Sequence, residues 1–200
     1  MTARRPDAPD VALADHAAES LQFIRQAMER SSTFTAVPGY GGVAMGVVGL
    51  VAAGVAALQP SAERWLLVWL AAAVMACAIC IGAMRVKAHR AGLALTGAAS
   101  RRFALALAAP LVAGSALTVG LWLSGAWALM PSVWLLLYGT GALTGGAFSV
   151  APVRALGLAF MTLGCVALVT PPSWGNVWLA LGFGALQCGF GIYIARKYGG

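Results

Sequence analysis

The chain has 200 residues, 60% apolar and only 10% charged, with a formal charge of +7. Soluble domains carry about 25% charged residues, so lipid is the solvent for most of this chain, and the basic excess reads as a topology signal instead of a nucleic-acid footprint. All six acids, Asp7, Asp10, Asp15, Glu19, Glu29 and Glu63, precede residue 64, which excludes enzymes and proton relays built on an intramembrane carboxylate.

Residues 1–9, with Pro6 and Pro9, read as a disordered tail. The first apolar run starts too late for a secretory signal, so the N-terminus is expected to be retained. Over 10–30, Leu13, Ala17, Leu21, Ile24 and Met28 recur at helical spacing opposite Asp15, Glu19, Arg25 and Glu29. That pattern predicts an amphipathic helix outside the hydrocarbon, leading into a corner that ends at residue 38.

Six apolar stretches follow, at Gly41–Leu58, Trp65–Met84, Phe103–Leu123, Val133–Val150, Ala155–Thr170 and Val177–Ala195. Each approaches the ~20 residues that cross ~30 Å of hydrocarbon, and Pro60, Pro131, Pro152 and Pro171-Pro172 mark cuts between them. The fold class expected is all-α: a six-helix transmembrane bundle over 39–195, arranged as three hairpins, preceded by the helix and corner of 10–38 and followed by a tail at 196–200.

Orientation comes from charge. Of the 13 Lys/Arg residues, only Arg64 falls on the side that carries all 7 tryptophans. Indoles favour the headgroup layer, and Lys/Arg favour the cytoplasmic loops. Both ends of the chain are therefore expected in the cytoplasm, with the tryptophan side, short-looped and nearly uncharged, offering a partner little to grip.

Several positions invite a functional reading. Gly42, Gly46 and Gly49 form one stripe on the first crossing, and Gly141 and Gly145 recur on the fourth. Such small-residue stripes let helices approach closely, either within the bundle or across a homo-oligomer interface. Pro110 interrupts the third crossing and predicts a kink. Near the midplane lie Ser115, Tyr138, Thr140, Thr144 and Gln187, which would line any small-solute pocket; a buried amide such as Gln187 must find a partner. Interhelical hydrogen bonding explains these residues equally well.

Cys77-x-x-Cys80, with Cys165 and Cys188, suggests a thiolate site on spacing alone, yet no basic group stands near to activate the thiols. They read as packing residues, with no metal and no cofactor. His16 and His89 lie outside the bundle core. Arg85, Lys87, Arg90, Arg101 and Arg102 make the 85–102 connection a basic loop, suited to anionic membrane lipids or a cytoplasmic protein partner and suited equally to setting topology. No acid, base or nucleophile constellation of an enzyme is present.

The run Glu19-Ser20-Leu21-Gln22-Phe23-Ile24-Arg25-Gln26-Ala27-Met28-Glu29-Arg30, continuing through Phe34-Thr35-Ala36-Val37-Pro38-Gly39-Tyr40-Gly41, resembles the opening of a family of small uncharacterised bacterial inner-membrane proteins. The resemblance covers residues 14–46. It implies a multi-pass protein of the bacterial cytoplasmic membrane and no particular activity. Two functions follow as expectations: a non-enzymatic interaction or regulatory protein working through its helix at 10–30 and its basic loop, or a small-solute permease or channel working through the midplane residues.

Overall fold

In hydrocarbon a backbone has no hydrogen-bond partner but itself, so carboxylate-free runs of Ala, Leu, Val and Gly close their hydrogen bonds within helices. The computed structural model describes residues 19–22, 35, 37–92 and 97–199. Among them every regular element is helical. The chain divides into two units, Met1–Thr33 and Phe34–Gly200. Of the first, residues 19–22 are described, helical and exposed. The tail at 1–9, the rest of the expected helix at 10–30, Phe34 and Ala36 of the corner, and residues 93–96 of the basic loop lie outside the described residues.

The second unit holds α1 (Gly39–Ala57), α2 (Ala62–Arg90), α3 (Ala98–Leu123), α4 (Met130–Gly146), α5 (Ala151–Val169) and α6 (Pro172–Tyr198). A 3-10 turn, Trp127–Leu129, leads into α4, and α6 contains a π-helical stretch, Ala180–Leu186. Five of these helices, all but α4, are long and apolar enough to cross a membrane. The 17 residues of α4 reach only about 26 Å at the helical rise per residue.

Several expected boundaries move, and two of them lie in the basic stretch. The second helix continues beyond Met84 to Arg90, and the third begins at Ala98 instead of Phe103. Hydropathy drops where charge enters, but the backbone has no reason to break there: Lys87, His89 and Arg90 occupy the last turn of α2, where cations complement the helix dipole. The stop comes at Gly92, whose φ of 63° is the left-handed conformation that ends helices. At the other end, Ser61 caps α2 by accepting a bond from the Arg64 amide at 3.4 Å, with Glu63 in the first turn. Helix α3 runs without interruption through Pro110. On the far side of α4 the helix stops at Gly146, residues 147 and 148 turn, and α5 starts earlier than expected, at Ala151 behind an extended Val150.

Three hairpins describe the connectivity but not the packing. α1 packs on α2 and α3 packs on α4, whereas the main partner of α5 is α4 and that of α6 is α1. Consecutive α2 and α3 hardly touch. The glycines explain the two closest pairs. The stripe of Gly42, Gly46 and Gly49 lies against Phe183, Gly184, Cys188 and Gly191 of α6, and a Cβ on Gly46 would stand 2.7 Å from the Cys188 amide nitrogen. Gly157 of α5 sits so close to α4 that a Cβ there would meet the Gly139 carbonyl oxygen at 2.7 Å. Gly141 and Gly145 face α3 instead, against Leu107 and Phe103. Close approach of this kind is how membrane helices gain packing energy when lipid is as apolar as their side chains.

Two clusters of buried side chains lie along the bundle, one reaching from the tryptophan end to the middle and the other at the arginine end. One joins Ala52, Ala53, Trp69, Leu135, Phe160 and Leu179, with Trp65, Trp134 and Trp178 around it. The other joins Ala88, Phe103, Val150, Val153 and Ile194, next to the arginine-bearing helix ends.

Candidate functional sites

The midplane residues divide. Tyr138 of α4 donates its hydroxyl to Gln187 Oε1 of α6 at 3.3 Å, and Gln187 is buried. Tyr138, Phe160 and Phe183 pack as a trio with centroids 4.6 to 5.2 Å apart, and Phe160 is wholly buried. These rings occupy the space where α4, α5 and α6 meet. The other hydroxyls are satisfied by main chain: Ser115 by Leu111 O at 3.0 Å, Thr140 by Leu136 O at 2.8 Å, and Thr144 by Thr140 O at 2.8 Å and Ala106 O at 3.2 Å. Ser115 and Thr144 are exposed. Tyr138 and Gln187 are thus brought together, while Ser115 is turned away from them.

At the arginine end, Lys87 differs from its neighbours. Its ammonium donates to Val37 O at 2.9 Å, Tyr198 O at 3.0 Å and Gly199 O at 2.6 Å. It therefore ties α2 to the entrance of α1 and to the last carbonyls of α6, which a helix C-terminus otherwise leaves open. Arg85, Arg90, Arg101 and Arg102 are exposed, as are Arg154 and Arg196. Lys197 donates to the Tyr193 hydroxyl at 3.3 Å.

The tryptophan end has an organising residue that sequence reasoning passed over, Asn176. Its Oδ1 accepts the indole N–H of Trp69 at 3.1 Å and of Trp65 at 3.3 Å, and its Nδ2 donates to Ala53 O at 2.8 Å. One amide thereby joins α1, α2 and α6. Trp65 stacks on Trp134 at 5.7 Å and 6°, and Trp134 donates to Thr118 Oγ1 of α3 at 2.8 Å, which carries the network to α3 and α4. Trp178 donates to Thr170 Oγ1 at 2.8 Å. The indoles at this end are cross-links between helices. The available signal was that Asn176 is the only asparagine in the chain and lies between Trp174 and Trp178.

Beside Asn176 opens a cleft of about 270 Å³, walled by Trp65, Trp127, Pro131 and Pro172. The tryptophan end therefore does offer a concavity to grip.

The cysteines are all free, with Cys77 and Cys165 exposed. Cys188 Sγ lies 3.6 Å from Val43 O, as part of the α1–α6 contact. Among the described residues no group of three or more His, Cys, Asp or Glu side chains is placed to hold a metal ion.

The fold and these sites define an all-helical protein with five helices able to cross a membrane, a basic end and a tryptophan-rich end. Comparison with family models, with curated proteins and with solved structures gives no match.

Proposed function

We propose that this chain is a non-enzymatic membrane protein of the bacterial cytoplasmic membrane that acts by engaging an anionic partner surface at its basic, cytoplasmic end. α4 with its preceding turn, Trp127–Gly146, serves in this reading as a sixth crossing. The observation that carries it is the gathering of Arg85, Arg90, Arg101, Arg102, Arg154 and Arg196, all exposed, around one buried cluster. Lys87 contributes differently, by holding that end together. Residues 10–30, whose sequence pattern is amphipathic, belong to the same proposal as a second recognition segment. A permease reading receives less support, since the Tyr138–Gln187 pair is packed against Phe160 and Phe183.

The test replaces Arg85, Arg90, Arg101 and Arg102 together with Gln, and separately removes residues 1–30. Each change should abolish co-purification of a cytoplasmic partner from crosslinked membranes and leave insertion intact. Undiminished co-purification in both variants refutes the reading.

A further inference from the structure

The cleft at the tryptophan end is built differently from the rest of the surface. Every side chain that lines it is uncharged: two indoles, three prolines, and the polar groups of Gln59, Ser61, Ser173 and Asn176. One of its two indoles is fixed in advance. Trp65 is held by its bond to Asn176 and by its stack on Trp134, so a ligand meets a surface that costs little to order.

Asn176 also has capacity left. An asparagine amide offers two lone-pair sites and two hydrogens. Both lone-pair sites are taken by Trp65 and Trp69, and one hydrogen by Ala53 O. The second hydrogen has no acceptor among the described residues. At Ser61, the Oγ accepts from the Arg64 amide, which leaves its O–H to donate.

The ligand that matches these features is neutral, because no lining side chain can balance a charge. It has a face of C–H groups to lie on indole and proline rings, and oxygen acceptors for the Asn176 N–H and the serine hydroxyls. Volume limits it to about one ring, since pockets for drug-sized molecules run about 300–1,000 Å³. We propose that this cleft binds a single neutral sugar ring, either free or as the headgroup of a glycolipid. The site lies among the tryptophans, at the depth where headgroups reside. It is independent of the basic end and of the function proposed for that end.

The experiment uses the full chain in nanodiscs of phosphatidylethanolamine and phosphatidylserine. One arm titrates methyl glucoside, methyl galactoside and N-acetylglucosamine, with choline and acetate as charged comparisons, by calorimetry. The other incorporates monoglucosyl or monogalactosyl diacylglycerol and measures its enrichment around the protein. Saturable binding in the second arm alone assigns a lipid headgroup, and binding in the first assigns a free sugar. Trp127→Ala removes an exposed wall of the cleft and should weaken binding about tenfold, as loss of an aromatic anchor does. Ser173→Leu, which narrows the cleft, should do the same. Trp174→Ala is the control, equally exposed at 52% against 47% for Trp127 but outside the lining, and should change nothing. Thermal unfolding checks that all three variants fold. The proposal is overturned if no probe binds saturably, if Trp174→Ala weakens binding as much as Trp127→Ala, or if choline or acetate binds more tightly than every sugar.

Discussion

Replacing Asn176 with Leu separates an organising amide from an incidental one. The variant keeps the number and branching of side-chain heavy atoms and removes three contacts. The indole N–H of Trp69 is the costliest loss, because Trp69 is only 5% exposed, and an orphaned buried donor costs about 1–3 kcal/mol. Trp65 lines the open cleft, where water can replace the amide, so its weaker 3.3 Å bond contributes about 0.5 kcal/mol. Ala53 O lies within α1 and retains its helical bond, so its loss is small. Interhelical bonds in membranes average about 0.6 kcal/mol, which pulls the sum toward the low end. The expected destabilisation is about 2 kcal/mol, roughly a thirtyfold shift in the folding equilibrium. Reversible unfolding in mixed micelles, followed by tryptophan fluorescence, measures it. A change below about 0.5 kcal/mol, the usual scatter for surface substitutions, would refute the claim that Asn176 joins α1, α2 and α6.

Gly46→Val forces a side chain into the space 2.7 Å from the Cys188 amide nitrogen and should cost about 3 kcal/mol or more, while Gly54→Val, with nothing within 4 Å of its added Cβ, should leave unfolding in micelles unchanged. Lys87→Met frees the carbonyls of Val37, Tyr198 and Gly199 and should speed amide hydrogen exchange in the last turn of α6, whereas Arg85→Met should not. In a double-mutant cycle, Tyr138→Phe and Gln187→Leu should each destabilise by about 1 kcal/mol and together by less than the sum, since removing both partners of a hydrogen bond leaves no orphan. A cysteine at Ser124 or Ser173 should react with an impermeant maleimide added outside intact cells, and one at Arg90 only after permeabilisation; the reverse pattern would invert the orientation.

Much of this architecture is legible along the chain because membrane insertion depends on sums over segments. About 20 residues of hydropathy make a crossing, and a few Lys/Arg on one side orient it. The tryptophans and arginines accordingly flank two separate buried clusters. Helix ends were less legible: hydropathy fell at Arg85, but α2 continues to Arg90 because cations suit its last turn and Gly92 supplies the stop. The glycine stripe was visible, yet its partner was not. Gly42 and Gly46 look alike whether they face a second molecule or α6, and only the register of α1 against Gly184, Cys188 and Gly191 decides.

The sites followed the same division. Gln187 stood out as an amide in an apolar run, and its bond to Tyr138 lies where a buried amide has to find a partner. Asn176 sat at a segment end, where polar residues are ordinary, and became an organising residue only once Trp65, Trp69 and Ala53, all more than a hundred positions away, were brought to it. Likewise Lys87 was one cation among five until the fold set three carbonyls around it. The sequence alone determined that the chain is helical, apolar over most of its length, and basic at one end and tryptophan-rich at the other, because those properties belong to each segment separately. Which helices touch, which amide joins them and where a cleft opens depend on complementary shapes distant in the chain, and these only the tertiary structure decided.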